Sequence, residues 1–156
     1  MEDRAASVDE LEQIEQLIDA WAASQVVDND AVQAVERGEA GEYRLYVRLA
    51  GEERAVFTIW FTLRQRSLFF ETQLMPAPAE NHAALYEYLL RRNASLHDLS
   101  FSIGEEDAIF LSGHVPVDAV DADELDRITG STYTYVEHFF RPAMRIGFQG
   151  RFQDTS

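Results

Sequence analysis

The sequence predicts an α+β fold, an antiparallel sheet packed with helices, in the order helix, three strands, helix, two strands, helix. Three observations carry this. Apolar residues at helical spacing near both ends and in the middle are separated by runs of strict two-residue alternation. The links between successive strands are too short for parallel crossovers, so neighbouring strands pair antiparallel. No internal repeat or change of composition divides the chain, and 156 residues fit a single domain that buries roughly 70% of the surface its unfolded form exposes. The expected core covers about 8–140, with 141–156 as a C-terminal tail.

The first helix opens at "SVDELEQIEQLIDAWAAS", where Ser7 and Glu10 form a capping box for the free amides of the first turn. Leu11, Ile14, Leu17, Ile18 and Trp21 share one face; Glu12, Glu15, Gln16 and Asp19 share the other. The following "QVVDNDAVQAVERGEAGE" sustains no period and reads mostly as connection. Asp28 and Asp30 within it lack the remaining ligands of a calcium loop.

Three strands follow: "YRLYVRLA", "AVFTIWFTLR" and "SLFFETQLM". Because side chains alternate across a strand, Tyr43, Leu45, Val47 and Leu49 face one way, with Phe57, Ile59, Phe61 and Leu63, and with Leu68, Phe70 and Leu74. These rows predict one buried sheet face. Pro76 and Pro78 break the pattern before the middle helix, "LYEYLLRRN". At 100° per residue Asn93 falls with Tyr86, Leu89 and Leu90 on the apolar side, Arg91 points away, and the two arginines complement the negative end of the helix dipole. "RRN" therefore reads as a helix stop whose asparagine amide satisfies unpaired helix carbonyls. "LSFSIG" and "AIFLSGHVPV" form a hairpin turning at Glu105, Glu106 and Asp107, closed by Pro116. In the last helix Asp121 caps and Glu124 completes the box; Gly130 marks a kink or break, and Pro142 ends the element.

Composition narrows the function. The formal charge of −15 is densest at the start, with twelve acids against two arginines in 1–42, and such a field repels phosphate backbones, which argues against a nucleic-acid partner. The absence of cysteine excludes disulfides, thiolate-held metal and a cysteine nucleophile. An acidic, polar N-terminus and the lack of an apolar run of about 18 residues give neither secretory signal nor membrane helix, so the expected location is cytoplasmic. No phosphate loop, paired-histidine zinc motif or nucleophile elbow occurs, and His82, His97, His114 and His138 show no ligand spacing. The acids Asp118, Asp121, Asp123 and Glu124 are explained by capping without a metal. The expectation is no catalytic residue, no cofactor and no metal.

The other face of the three-strand run is the candidate site. Arg44, Tyr46 and Arg48 alternate outward on the first strand, Val56, Thr58 and Trp60 on the second, Phe69 and Glu71 on the third. Aromatics among guanidinium groups are the residue types that dominate interfaces, which makes Arg44, Tyr46, Arg48, Trp60 and Phe69 candidate protein-binding residues; the competing reading is a second core layer covered by a helix or the tail. Another protein, and a second copy of the chain, are the expected partners. Two alternatives stand beside this: a small-molecule sensor or unrecognised enzyme with a pocket between sheet and helices near Trp21, Tyr86 or Tyr135, and a self-associating structural protein.

The element order, with "LLRRNASL" closing the middle helix, the hairpin "LSFSIGEEDAIFLSGHVPV" and the final "DELDRITGSTYTYVEHF", resembles the YbjN-domain family of bacterial proteins over about residues 8–140. At fold level that family is similar to the secretion chaperones of the type III system, with α-β-β-β-α-β-β-α order. The resemblance implies a chaperone-like or regulatory protein-binding module, described as a regulator of sensory transduction, with no established catalytic residues to carry over.

Overall fold

The computed structural model describes residues 5–151. Its elements are α1 (Val8–Asp28), β1 (Val32–Arg37), β2 (Arg44–Ala50), β3 (Val56–Leu63), β4 (Ser67–Met75), α2 (His82–Asn93), β5 (Ser100–Ile103), β6 (Ile109–Pro116) and α3 (Ala122–Gly147). The strands form one sheet in the order β1-β2-β3-β4-β6-β5, antiparallel at every pairing. The order of elements follows the sequence expectation, with one strand added.

That strand is β1, in the segment read as connection. A register irregularity between Val32 and Ala34 breaks its alternation, which removes the two-residue signal by which strands are read. Helix α1 also continues through Gln25 to Asp28, capped by the Asn29 amide on the Gln25 carbonyl. At its start the capping box is present: Ser7 Oγ accepts from Glu10 N at 3.2 Å and Ser7 N donates to Glu10 Oε1 at 3.3 Å.

The predicted buried rows on β2, β3 and β4 form the core face, and all three helices pack against that side. Val47, Ile59, Leu68, Phe70 and Leu74 are fully buried there, and Tyr43 is half-buried at the margin. Thr72 shares this row and is tolerated because its hydroxyl donates to the Thr58 carbonyl at 2.7 Å. Helix α1 locks onto α3 where Trp21 Nε1 donates to Asp126 Oδ1 at 2.8 Å, while the Trp21 ring meets Phe61 edge-on.

Helix α3 corrects three expectations. Asp121 caps as expected, accepting from Glu124 N at 2.8 Å, but the Glu124 carboxylate turns to Arg127 and leaves the box incomplete. The helix runs unbroken through Gly130, which faces open space. It also continues past Pro142 to Gly147: the lost amide and ring clash cost about 3 kcal/mol, and burial of Ala143, Gly147 and Phe148 beyond the proline offsets this. Gly147 packs closely against the segment that follows β4. A Cβ there would lie 2.9 Å from Met75 Cε and 3.0 Å from Pro78 Cβ, and its carbonyl accepts from both Ala79 N and Glu80 N. The segment 143–148 is thus packed structure where a loose tail was expected; 152–156 lie outside the described residues.

Asn93 plays a different part from the one the sequence suggested. It does not serve the carbonyls of its own helix. Its Oδ1 accepts from Phe101 N at 2.7 Å and its Nδ2 donates to Phe101 O at 3.2 Å, so one side chain occupies both backbone groups of Phe101 on the edge strand β5. Leu90, placed on the apolar side by helical spacing, is 68% exposed and lines an outer groove between α2 and β5.

Candidate functional site

The sheet face opposite the helices carries the candidate residues. Antiparallel register aligns them into cross-strand rows: Tyr46 with Trp60, Trp60 with Glu71, and Glu71 with Ser112. A second row runs Arg44, Thr62, Phe69, His114, and Arg48 lies opposite Thr58. Tyr46, Trp60 and Phe69 are half-buried, whereas Arg44 and Arg48 are exposed. Among the described residues no helix covers this face.

The face is concave. Tyr46, Trp60, Phe69 and Phe110 form the apolar part of a hollow of 720 Å³, with Arg44 and Glu71 among its polar lining. Trp60 and Phe110 tilt toward each other with centroids 6.4 Å apart, and the Arg64 guanidinium lies 5.0 Å from the Phe69 ring centroid. A smaller hollow of 210 Å³ adjoins it, where Arg48, Arg54, Thr58 and Gln73 surround another side of Trp60. All five sequence-predicted residues therefore fall on the two connected hollows.

Phe110, Arg64 and Arg54 were missed. The alternation of β6 puts Phe110 with Ser112 and His114, but only the pairing of β6 with β4, across a helix and a strand in sequence, brings it beside Trp60. Arg54 stands in the β2–β3 turn, stacked over the Phe140 ring at 5.3 Å. Its Nε is buried without a hydrogen-bond partner, and burial pulls its pKa below the ordinary guanidinium value. The turn itself is held by Glu137 of α3, whose two carboxylate oxygens accept from Glu52 N and Glu53 N at 2.7 Å each.

Glu71 is the carboxylate in the middle of the face. Burial raises its pKa, Arg64 opposes that, Glu105 adds to it, and Arg44 opposes it again. A carboxyl whose pKa is higher folded than unfolded favours the folded state below the unfolded value, and this contribution is lost as pH rises through the folded value. Glu71→Gln is therefore expected to melt slightly above the parent at pH 7. The gain should shrink toward zero as pH falls below the ordinary carboxylate range, and a gain independent of pH in thermal melts would contradict the assignment.

Trp21, Tyr86 and Tyr135, each a possible place for a pocket between sheet and helices, lie in separate surroundings. Trp21 is buried against Phe61 and bonded to Asp126, Tyr135 accepts from His97 N at 3.1 Å, and Tyr86 lines an outer groove with Leu89, Leu90, Phe101 and Ile103. The space between α1 and the sheet near Ile18 and Phe61 measures 10 Å³, room for about one water at most. No group of three or more metal-ligating side chains occurs among the described residues, and no helix among them is long and apolar enough to cross a membrane.

An uncovered antiparallel sheet backed by three helices defines a class of fold, that of the type III secretion chaperones. The chain superposes on the Yersinia pestis chaperone SycH, solved with a stable fragment of YscM2, at a TM-score of 0.51 and 12% identity, covering 79% of this chain and 96% of that one. It superposes equally, at 0.51 and 15% identity, on a chain of the Pseudomonas aeruginosa ExoU–SpcU heterodimer, covering 83% and 96%. These likenesses concern the fold. Residues 10–143 match the YbjN family, described as "Putative bacterial sensory transduction regulator", and the chain belongs to that family. Similar relatives include an uncharacterized protein of Mycobacterium leprae, 33% identical over 113 residues, and one of Mycobacterium tuberculosis, 31% identical over 109. The matched segments cover 72% and 70% of this chain but 61% and 60% of those proteins.

Proposed function

We propose that this protein is a non-enzymatic, chaperone-like or regulatory module that acts in the cytoplasm and binds a segment of another protein on the open sheet face. The observation that carries the reading is the 720 Å³ hollow in which Tyr46, Trp60, Phe69 and Phe110 stand half-exposed with no helix over them. Aromatic side chains in such a setting gain most when a partner completes their burial, and Trp, Tyr and Arg are the types most often found to dominate binding energy. The family description and the protein-bound state of the two chaperones named above support a protein as the partner.

Trp60→Ala tests this. The variant should keep a single cooperative thermal transition, because Trp60 lies outside the buried core, and should lose at least about tenfold in the capture of the partner enriched by the parent chain, the loss typical of a central aromatic. Undiminished capture of that same partner by a cooperatively folded Trp60→Ala would refute the surface assignment.

Pairing with a second copy belongs to the same reading. The groove between α2 and β5 is apolar and exposes Leu90 and Ile103, at 68% and 52%. Burial of such residues between two copies is favourable, at roughly 25 cal/mol per Å². Sedimentation should give a dimer for the parent and a monomer for Leu90→Glu; a monomeric parent at micromolar concentration contradicts the pairing.

A further inference from the structure

The open face carries exposed arginines that form no ion pair among the described residues. In a chain of 28 acids and 13 arginines, several guanidinium groups are paired with carboxylates. Arg37 pairs with Glu15 and Asp19, Arg91 with Glu87, Arg127 with Asp98 and Glu124, and Arg141 with Glu53. Among the described residues Arg44 and Arg48 have no ion-pair partner, although both are exposed. They flank Tyr46 on one side of β2, two residues away in each direction, and so stand about 14 Å apart at about 3.4 Å per residue. Arg48 shares its hollow with Arg54, whose Nε lacks a partner.

We infer that the segment this face receives is an extended acidic one, with two carboxylates four residues apart over Arg44 and Arg48 and a large apolar side chain between them in the hollow of Tyr46, Trp60 and Phe69. An extended chain repeats at the same rise as β2, so residues i and i+4 reach both guanidinium groups while i+2 points at Tyr46. Charge complementarity sets the choice: neither cation forms an ion pair among the described residues, Arg44 acting on Glu71 only at longer range, and exposed guanidinium groups supply charge-assisted hydrogen bonds to carboxylates. Glu105 and Glu106, in the turn between β5 and β6, line the larger hollow away from β2, which keeps the acidic residues of the segment on the β2 side. This inference rests on the open face being a binding surface, and it adds the chemistry of what binds.

The test uses the full chain and three fluorescein-labelled probes: a nine-residue peptide centred on Asp-Ser-Phe-Ser-Asp, the same peptide with lysines in place of the aspartates, and a single-stranded oligonucleotide. Anisotropy should show binding of the acidic peptide alone, weakening at least about threefold from low to high salt as exposed charges are screened. Arg44→Gln and Arg48→Gln should each weaken it by about fivefold, and Trp60→Ala by more, with thermal melts unchanged for the arginine variants. Equal binding of the lysine peptide, abolished by Trp60→Ala, would overturn the acidic preference while leaving the face as the site. Acidic-peptide binding unaffected by all three substitutions would overturn both. Preference for the oligonucleotide, or no binding of any probe, would overturn the inference.

Discussion

Asn93→Leu is expected to destabilise the protein by about 2–4 kcal/mol, while Arg91→Ala changes stability by less than about 0.5 kcal/mol. The difference lies in what each side chain holds. Asn93 occupies the amide and the carbonyl of Phe101, at 2.7 and 3.2 Å, and leucine leaves both groups without that partner beside a ring that is 94% buried by its 6% exposure. An unpaired, partly buried backbone group costs about 1–3 kcal/mol, and water reaching a sheet edge recovers some of it. Arg91 pairs with Glu87 at 3.5 Å across two side chains that are 74% and 70% exposed, a geometry that contributes little. Urea denaturation of the two variants decides the matter, and equal losses would contradict it. A second consequence follows from the position of β5 at the sheet edge: baring Phe101 exposes a pairing template, so Asn93→Leu should also associate at high concentration.

Gly113→Ala is expected to cost about 3 kcal/mol, or to displace the connection between α2 and β5. Gly113 sits on β6 opposite Phe70, and a Cβ there would collide with the backbone carbonyl of Asp98 and lie 2.8 Å from Phe70 Cζ. The obstruction is backbone on one side and a fully buried ring on the other, so neither yields cheaply. Asp98 is itself held at a positive φ of 65°, where the chain bends over the sheet. Gly130→Ala is the matched control with the opposite sign. Nothing lies within 4 Å of the new methyl, and alanine in a helix interior gains up to about 1 kcal/mol over glycine. Thermal melts showing a loss at 130, or none at 113, would contradict the packing described.

What the sequence could and could not show follows from how each signal is encoded. The buried rows of β2, β3 and β4 were readable because strict alternation survives in the residues themselves, from Leu45 to Leu74. β1 was not, since its bulge places Ala34 and Val35 out of phase with Val32. Pro142 misled because a local rule about helix interiors was outweighed by tertiary burial of Ala143 and Phe148, which no local window contains. Asn93 was rightly taken as structural, but its partner is eight residues away on another element, and helix periodicity predicts a face and not a bond. The candidate surface was legible in part for the same reasons. Tyr46, Trp60 and Phe69 were set on one face by alternation, whereas Phe110 and Arg54 join them only through strand order and the β2–β3 turn.

The central claim is that the open sheet face, and not the helical layer, receives the partner. Site-specific photo-crosslinking in cells tests it most directly, with Tyr46→p-benzoylphenylalanine on the sheet face and Leu17→p-benzoylphenylalanine on α1, where Leu17 is 36% exposed. A partner crosslinked from position 46 and absent from position 17 is the result expected; the same partner crosslinked from position 17 and not from position 46 would contradict the account.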